Sequence, residues 1–546
     1  MNIAKLTKQF VYLIFLLGLL LVLGCAQTGP KPVEPQSGPD QTAAAPQSKT
    51  TAADKATTGA SSGAVPDLPE FVKAPVWAIF PLENATGKPE LDWLSIGLQD
   101  SLTVDLWYVS ALNTKALTAF VDEIGKVCPK MGIDCVGKLK LTDWQTMAGN
   151  AKLDKFIWGS YRQEGGQVAV TLRLYQGPAW TVQGEVSFTA PLDGLMKEAT
   201  NQLQGFLAAQ GVTVKSEEKD RILTTKTGHI GAWEQNAQGF WWQQKYSADE
   251  KNRPTLAPVW EKYLMEAVRL DPNYAEAWDN LGCQRITAEK WDTAAQAFTQ
   301  ALKLKPYLVD ANAGMGYALI QKKEPLTNIP YLKQAINFNP ALLETWTILM
   351  AGYDQTATEY KQKGDYPKAL EHCNQALAIS LKVRGSEHPD TASSYNKIGL
   401  VYWFMGNYPK ALENHSKALS IRLKVLGPEH PDTATSYNNI ASVYWSMGDY
   451  PKALENHSKA LAIDLKVLGP EHPDIATSYS NIGSVHDSMG DYPKALENHQ
   501  KALAIYLKVL GPEHPSTATS YNNIGEVYRN MGDYPKALEN RQKALA

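Results

Sequence analysis

The sequence has no surplus of positive charge: 53 Lys and Arg stand against 56 Asp and Glu, a formal net charge of −3. Without a basic field, nucleic acid is not expected as the main partner. Cysteine is scarce, with 5 in 546 residues, and no histidine precedes His229. A metal centre in that first part would therefore lack the usual ligand set. There is also no phosphate-cradling GxxxxGK[ST] loop, no HExxH and no GxSxG turn set between a strand and a helix. No catalytic residue, cofactor or metal is expected, and the chain is read as not an enzyme.

Residues 1–24 stand apart. Lys5 and Lys8 precede an apolar run from Phe10 to Leu23, followed by Gly24-Cys25. Membrane spans need roughly 20 residues, so this shorter run suits a signal-peptide core. Val22-Leu23-Gly24-Cys25 resembles a bacterial lipobox, with Leu23 the less usual residue. The resemblance implies lipidation of Cys25; an uncleaved anchor and plain secretion are the alternatives. Ala26, rather than Asp, then implies sorting to the outer membrane. Residues 25–70 are rich in Pro, Ser, Thr and Ala, and no aromatic occurs from Ala26 to Glu70. Such a stretch cannot offset its ordering entropy by apolar burial, and reads as a disordered tether.

Residues 71–210 read as an α/β or α+β domain. Val76 to Phe80 is an apolar run ending at Pro81, and Leu94, Leu98, Leu102 and Leu106 recur at helical spacing. Gly97 on that helix suggests close packing against a sheet. Val168, Val170, Leu172 and Leu174 alternate after Gly165-Gly166, and Val182 to Ala190 reads as a further strand. A closing amphipathic helix follows, with Asp193 as its expected N-cap. The segments "VWAIFPLENATGKPELDWLSIGLQDSLTVDL" and "LDKFIWGSYRQEGGQVAVTLRLY" resemble the amino-terminal domain of TolB-like proteins, related to curli-secretion and flagellar outer-membrane lipoproteins. Pro81, Glu83, Asn84, Gly87, Gly97-Leu98 and Gly159-Ser160 carry the match; Leu82 stands where Phe is usual. The resemblance implies an envelope-facing, noncatalytic adaptor. Asn84 and Thr86 are expected to cap a turn. Cys128 and Cys135 share a Pro/Gly loop and suggest a disulfide in an exported protein, with free thiols as the alternative. Cys283 and Cys373 are expected to be buried.

A linker is expected at 211–230, and from 231 the chain is periodic. Pro272, Pro306 and Pro340 are 34 residues apart, and Trp278, Leu281, Gly282, Ala294, Phe298 and Ala301 occupy tetratricopeptide-repeat (TPR) signature positions. Residues 231–384 are therefore read as TPR helix pairs. From 385 to 546 the period is 42: Gly385, Gly427, Gly469 and Gly511 open four units resembling kinesin-light-chain repeats. The whole is an all-α superhelical solenoid of about eight helix pairs. His388, His430, His472 and His514 recur in "EHP" loops and are read as loop-packing residues.

Helix B is nearly constant between units, whereas helix A varies. The variable sets are Leu400, Ser442, Ser484 and Glu526; Trp403, Trp445, Asp487 and Arg529; and Phe404, Ser446, Ser488 and Asn530. Lys397, Asn439, Asn481 and Asn523, with Asn280 in a 34-residue unit, stand where peptide-binding TPR proteins often carry Asn. An amide that donates and accepts suits a peptide backbone. Trp403, Trp445 and Arg529 are expected to add side-chain preference; drift between duplicates is the other account.

The expectation is a lipid-anchored cell-envelope scaffold or adaptor, facing the periplasm from the outer membrane, that binds protein or peptide partners through a concave groove. The alternative is a structural part of a secretion or surface-organelle assembly, oligomerising through the TolB-like domain. Leu538 and Leu545 in the last helix, without a capping helix, suggest self-association.

Overall fold

The computed structural model describes residues 68–69, 73–115, 117–127, 136, 139–223, 227–248, 252–323 and 325–545. Cys25, Cys128, Cys135 and the tether up to residue 67 lie outside these residues. The chain divides into two compact units, one ending at Gln355 and the other beginning at Thr356.

The first unit holds a mixed sheet of β1 (Val76–Ile79), β2 (Glu83–Asn84), β3 (Asn113–Lys115), β4 (Lys155–Glu164), β5 (Gln167–Gln176) and β6 (Thr181–Pro191). The order is β3-β1-β4-β5-β6, with β2 also pairing β4. β1 runs parallel to β3 and β4, whereas β5 runs antiparallel to both its neighbours, β4 and β6. The β4–β5 hairpin turns at Gly165-Gly166 with Gly165 at φ +61°. This is the left-handed conformation that a two-residue hairpin loop requires. The alternating Val168, Val170, Leu172 and Leu174 are all buried. At Gly159, opposite Leu172, an added Cβ would lie 1.8 Å from the Thr171 carbonyl oxygen, so the strand pair excludes any side chain there.

Helices α1 (Trp93–Trp107), α2 (Val121–Val127), α3 (Leu141–Asn150), α4 (Leu195–Ala209) and α5 (Ser216–Leu223) complete this part. Leu94, Leu98, Leu102 and Leu106 are buried, but so are the polar Gln99, Asp100 and Asp105. A second layer covers α1: Trp93 meets Trp233 edge-on at 5.1 Å. A Cβ on Gly97 would touch Ala237 at 3.3 Å, so Gly97 serves a helix–helix contact and not the expected helix–sheet one. α4 begins after Gly194, which occupies the N-cap position without a side-chain cap; Asp193 is therefore not the cap. Asn84 and Thr86 do cap a turn, the Asn84 Oδ1 accepting from the Thr86 backbone N–H at 2.9 Å.

The stretch read as a linker contains α5, whose Glu218 carboxylate accepts from the Ser110 backbone N–H at 3.2 Å. Sheet and first repeats share one compact unit for the same reason. The Asn339 amide donates to the Trp107 carbonyl at 2.6 Å, and Lys115 pairs with Glu344 at 3.2 Å. Cys373 is buried, while Cys283 is only partly buried.

Eight helix pairs follow among the described residues. They are α6 (Ile230–Ala248) with α7 (Arg253–Leu270), α8 (Ala275–Thr287) with α9 (Trp291–Leu304), α10 (Val309–Gln321) with α11 (Pro325–Phe338), and α12 (Leu343–Gln362) with α13 (Tyr366–Val383). The 42-residue units give α14 (Pro389–Phe404), α15 (Tyr408–Val425), α16 (Pro431–Ser446), α17 (Tyr450–Leu468), α18 (Pro473–Ser488), α19 (Tyr492–Val509), α20 (Pro515–Asn530) and α21 (Tyr534–Leu545).

The periodic residues act at helix ends. Trp278 Nε1, Asn312 Nδ2 and Trp346 Nε1 each donate at 2.9 Å to the carbonyl six residues earlier, on Pro272, Pro306 and Pro340. In the longer units Thr391, Thr433 and Thr517 do the same for the Gly385, Gly427 and Gly511 carbonyls, at 2.7, 2.9 and 2.8 Å. Between helices, Gly448 sits at φ +79° and the Asp449 carboxylate accepts from the Lys452 backbone N–H at 3.3 Å, with Pro451 in the first turn.

The "EHP" histidines have a defined task. Nδ1 of His388, His430 and His514 accepts from the backbone N–H two residues on at 3.1 Å, and that of His472 at 3.2 Å. Each imidazole is a helix N-cap. His430→Ala is expected to cost about 1 kcal/mol, the usual value of a lost cap. Hydrogen exchange in residues 431–446 measures it, and His430→Asn should retain most of the protection.

Candidate functional site

The second unit aligns its A helices, α14, α16, α18 and α20, so that each places side chains beside those of the next. The expected reader residues fall into two ladders there. In one, the Asn439 amide donates to Asn396 Oδ1 at 2.7 Å and the Asn523 amide donates to Ser480 Oγ at 3.1 Å. Asn280 in the first unit likewise donates to Asn236 Oδ1 at 3.0 Å. These amides already spend a donor on the preceding repeat. Asn481 differs: no hydrogen-bond partner is found for its amide among the described residues, and it lines a cavity.

In the second ladder, Trp403 Nε1 donates to Ser446 Oγ at 2.8 Å and Trp445 Nε1 to Ser488 Oγ at 2.9 Å. Asn530 then donates to the Asp487 carboxylate at 3.1 and 3.2 Å. The variable positions thus change in contacting pairs: Trp with Ser twice, then Asp with Asn. Burial raises the Asp487 carboxyl above its ordinary range, and the Asn530 bond partly offsets this. Arg529 and Arg541 both pair with Glu526, and hydrogen bonding from Arg529 holds that carboxyl below its usual range. Lys397 is half-buried on α14.

A cavity of about 350 Å³ opens between α16, α17, α18, α19 and α20, with Trp445, Ser480, Asn481, Tyr506 and Asn523 in its wall. It gathers three of the expected readers: Trp445, Asn481 and Asn523. Lys397, Trp403, Asn439 and Arg529 are not part of its lining. Trp445 is 41% exposed and lines the cavity while its N–H is held by Ser488. His457 also lines the cavity, and burial lowers its pKa to about 4, so it is neutral there. The remaining lining residues are Ser, Thr, Asn, Trp, Tyr and Val, and none carries a charge at neutral pH.

Tyr506 was not expected in the site. It lies on helix B, and its hydroxyl is 2.7 Å from Thr477 Oγ1. A sequence signal exists: Ser380, Arg422, Asp464 and Tyr506 are equivalent positions in otherwise similar B helices. All four are buried against A helices, so their variation alters the wall of the groove from behind.

Residues 357–546 match the tetratricopeptide-repeat family model in four overlapping stretches: 357–424, 390–466, 432–508 and 474–546. These residues therefore carry TPR repeats. A cell division cycle protein 27 homolog of Caenorhabditis elegans is 34% identical over 77 residues, which cover 14% of this chain and 10% of that protein. Among solved structures, the nearly identical TPR-like repeats of a Podospora anserina putative kinesin light chain are similar at 28% identity. They cover 36% of this chain and 92% of that one, with a TM-score of 0.33. BtubC (BKLC) from P. vanneervenii is similar at 24% identity, covering 42% of this chain and 89% of that one, with a TM-score of 0.37. TPR repeats suggest a scaffold for protein–protein interaction.

Proposed function

We propose that this chain is a lipid-anchored scaffold of the bacterial cell envelope that holds an extended segment of a protein partner along the A helices of residues 389–530. The observation that supports it best is the cavity at Trp445, Asn481 and Asn523, where an aromatic face adjoins an amide with no partner among the described residues. An extended peptide presents backbone donors and acceptors that one carboxamide can satisfy, while the indole face covers a side chain. Cys25 is the proposed lipid attachment point, and the sheet-bearing part is proposed to be a TolB-like, noncatalytic adaptor facing the periplasm.

The test is selection of random peptides on the full chain, followed by affinity measurement with wild type and Asn481→Ala. A loss of about tenfold or more in the variant is expected, because an unpaired buried amide on the peptide costs on the order of 1–3 kcal/mol. Equal affinity, or no selected peptide, contradicts the reading. Radiolabelled palmitate incorporated into wild type but not into Cys25→Ser tests the anchor.

A further inference from the structure

The third 42-residue unit breaks a pattern that the first two keep. In the first, Asn396 Oδ1 lies 2.8 Å from the buried His415 Nδ1 and also accepts from Asn439. In the second, Asn438 Oδ1 lies 2.8 Å from His457 Nδ1. The third has Ser480 at this place. Its shorter hydroxyl still accepts from Asn523. The counterpart nitrogen, Nδ1 of the 2% exposed His499, has no hydrogen-bond partner among the described residues. The exchange of carboxamide for hydroxyl thus leaves a buried polar atom unpaired, which costs stability. It also leaves Ser480 in the wall of the cavity of about 350 Å³, beside the uncommitted Asn481.

We infer that Ser480 opens a specificity pocket that takes one neutral, hydrogen-bonding side chain of the bound peptide, Asn or Gln foremost and Ser or Thr next. This rests on the peptide-binding reading above. The selection follows from what each class of side chain would meet. A carboxylate or ammonium would be desolvated against hydroxyls and amides with no opposite charge, because no lining residue is charged. An aliphatic side chain would cover the Asn481 amide and the hydroxyls without pairing them, which is the costlier way to fill a polar site. A carboxamide donates and accepts at once, matching a wall of hydroxyls and one free amide. Trp445 at the edge, its indole fixed by Ser488, offers a flat apolar surface to the stem of the same side chain.

Ser480→Asn is the decisive variant, since Asn stands at the equivalent positions 396, 438 and 522 and the repeat accommodates it. It restores a partner for His499 and fills the pocket. On the full chain it is expected to raise the melting temperature and to weaken the selected peptides by tenfold or more. The selected peptides are expected to share one position rich in Asn, Gln, Ser or Thr, where Glu or Leu loses at least tenfold. If Asn481→Ala abolishes binding but Ser480→Asn leaves every peptide at wild-type affinity, the peptide reading stands and the pocket is overturned. A shared position occupied by charged or aliphatic residues overturns it as well. If no peptide is selected at all, both readings fall together.

Discussion

Lowering the pH from 7 to 5 is expected to stabilise the first unit and destabilise the second. In the second, burial lowers the pKa of His415, His457 and His499 to about 4 each, with Arg422 adding to the effect at His415. An unfolded chain takes up these protons near pH 6.5, and the folded one does not until about 4. Stability is therefore lost as pH falls through that window. Asp464 opposes this, since burial raises its carboxyl to about 6. His372 and His486, whose pKa burial also lowers, add to the three imidazoles, and Asp487, raised by burial, joins Asp464 against them. Five imidazoles thus outweigh two carboxyls, and the net sign is destabilising.

The first unit has the opposite sign. Asp310 is pushed up to about 7 by burial, with Asp100 and Glu344 adding their negative charge. Asp279 is also raised, by burial and by Asp310, Glu276 and Asp100, while Glu276 pairs with Lys305 at 2.6 Å. The folded form keeps protons that the unfolded chain releases above about pH 4. Stability is therefore gained as pH falls from 7 toward 4, by about 1.4 kcal/mol per unit for each such group. Hydrogen exchange, corrected for intrinsic rates, reads each unit separately. Shifts of the same sign in both contradict this account. Replacing the three histidines by Gln should flatten the slope of the second unit alone.

The largest single-site effect on stability is expected at Gly159. Alanine there would place its Cβ 1.8 Å from the Thr171 oxygen and 2.9 Å from its carbonyl carbon. Both are backbone atoms in the middle of the β4–β5 register, so no side chain can rotate aside. Relief requires breaking strand pairing, and a cost of about 3 kcal/mol or more is expected. Gly166→Ala is the control, because a Cβ there meets nothing within 4 Å. Protection of amides in 155–176 should collapse in the first variant and persist in the second.

How much of this was legible follows from how local each cause is. Helix ends, turns and the 42-residue period are written in short-range chemistry such as Gly448, Asp449 and Pro451, and the structure places them as the sequence implies. The burial of Gln99, Asp100 and Asp105 was not legible, because the helices that cover them lie far along the chain. Gly97 was misread for the same reason, its neighbour being Ala237 rather than the sheet. At the site, Asn439 and Asn523 carry the right chemistry for a peptide, yet their partners are Asn396 and Ser480, 43 residues earlier. Residue type alone does not distinguish an amide facing a ligand from one facing its own neighbour. The pairs Trp403–Ser446, Trp445–Ser488 and Asp487–Asn530 add contact between repeats to ligand reading and drift as a cause of variation.

Hydrogen exchange of the full chain with and without a selected peptide tests the groove most directly. The account predicts added protection concentrated in residues 431–446, 473–488 and 515–530, greatest around Asn481, with the outer faces of α17, α19 and α21 unchanged. Protection confined to those B helices, or to residues 73–355, would contradict it.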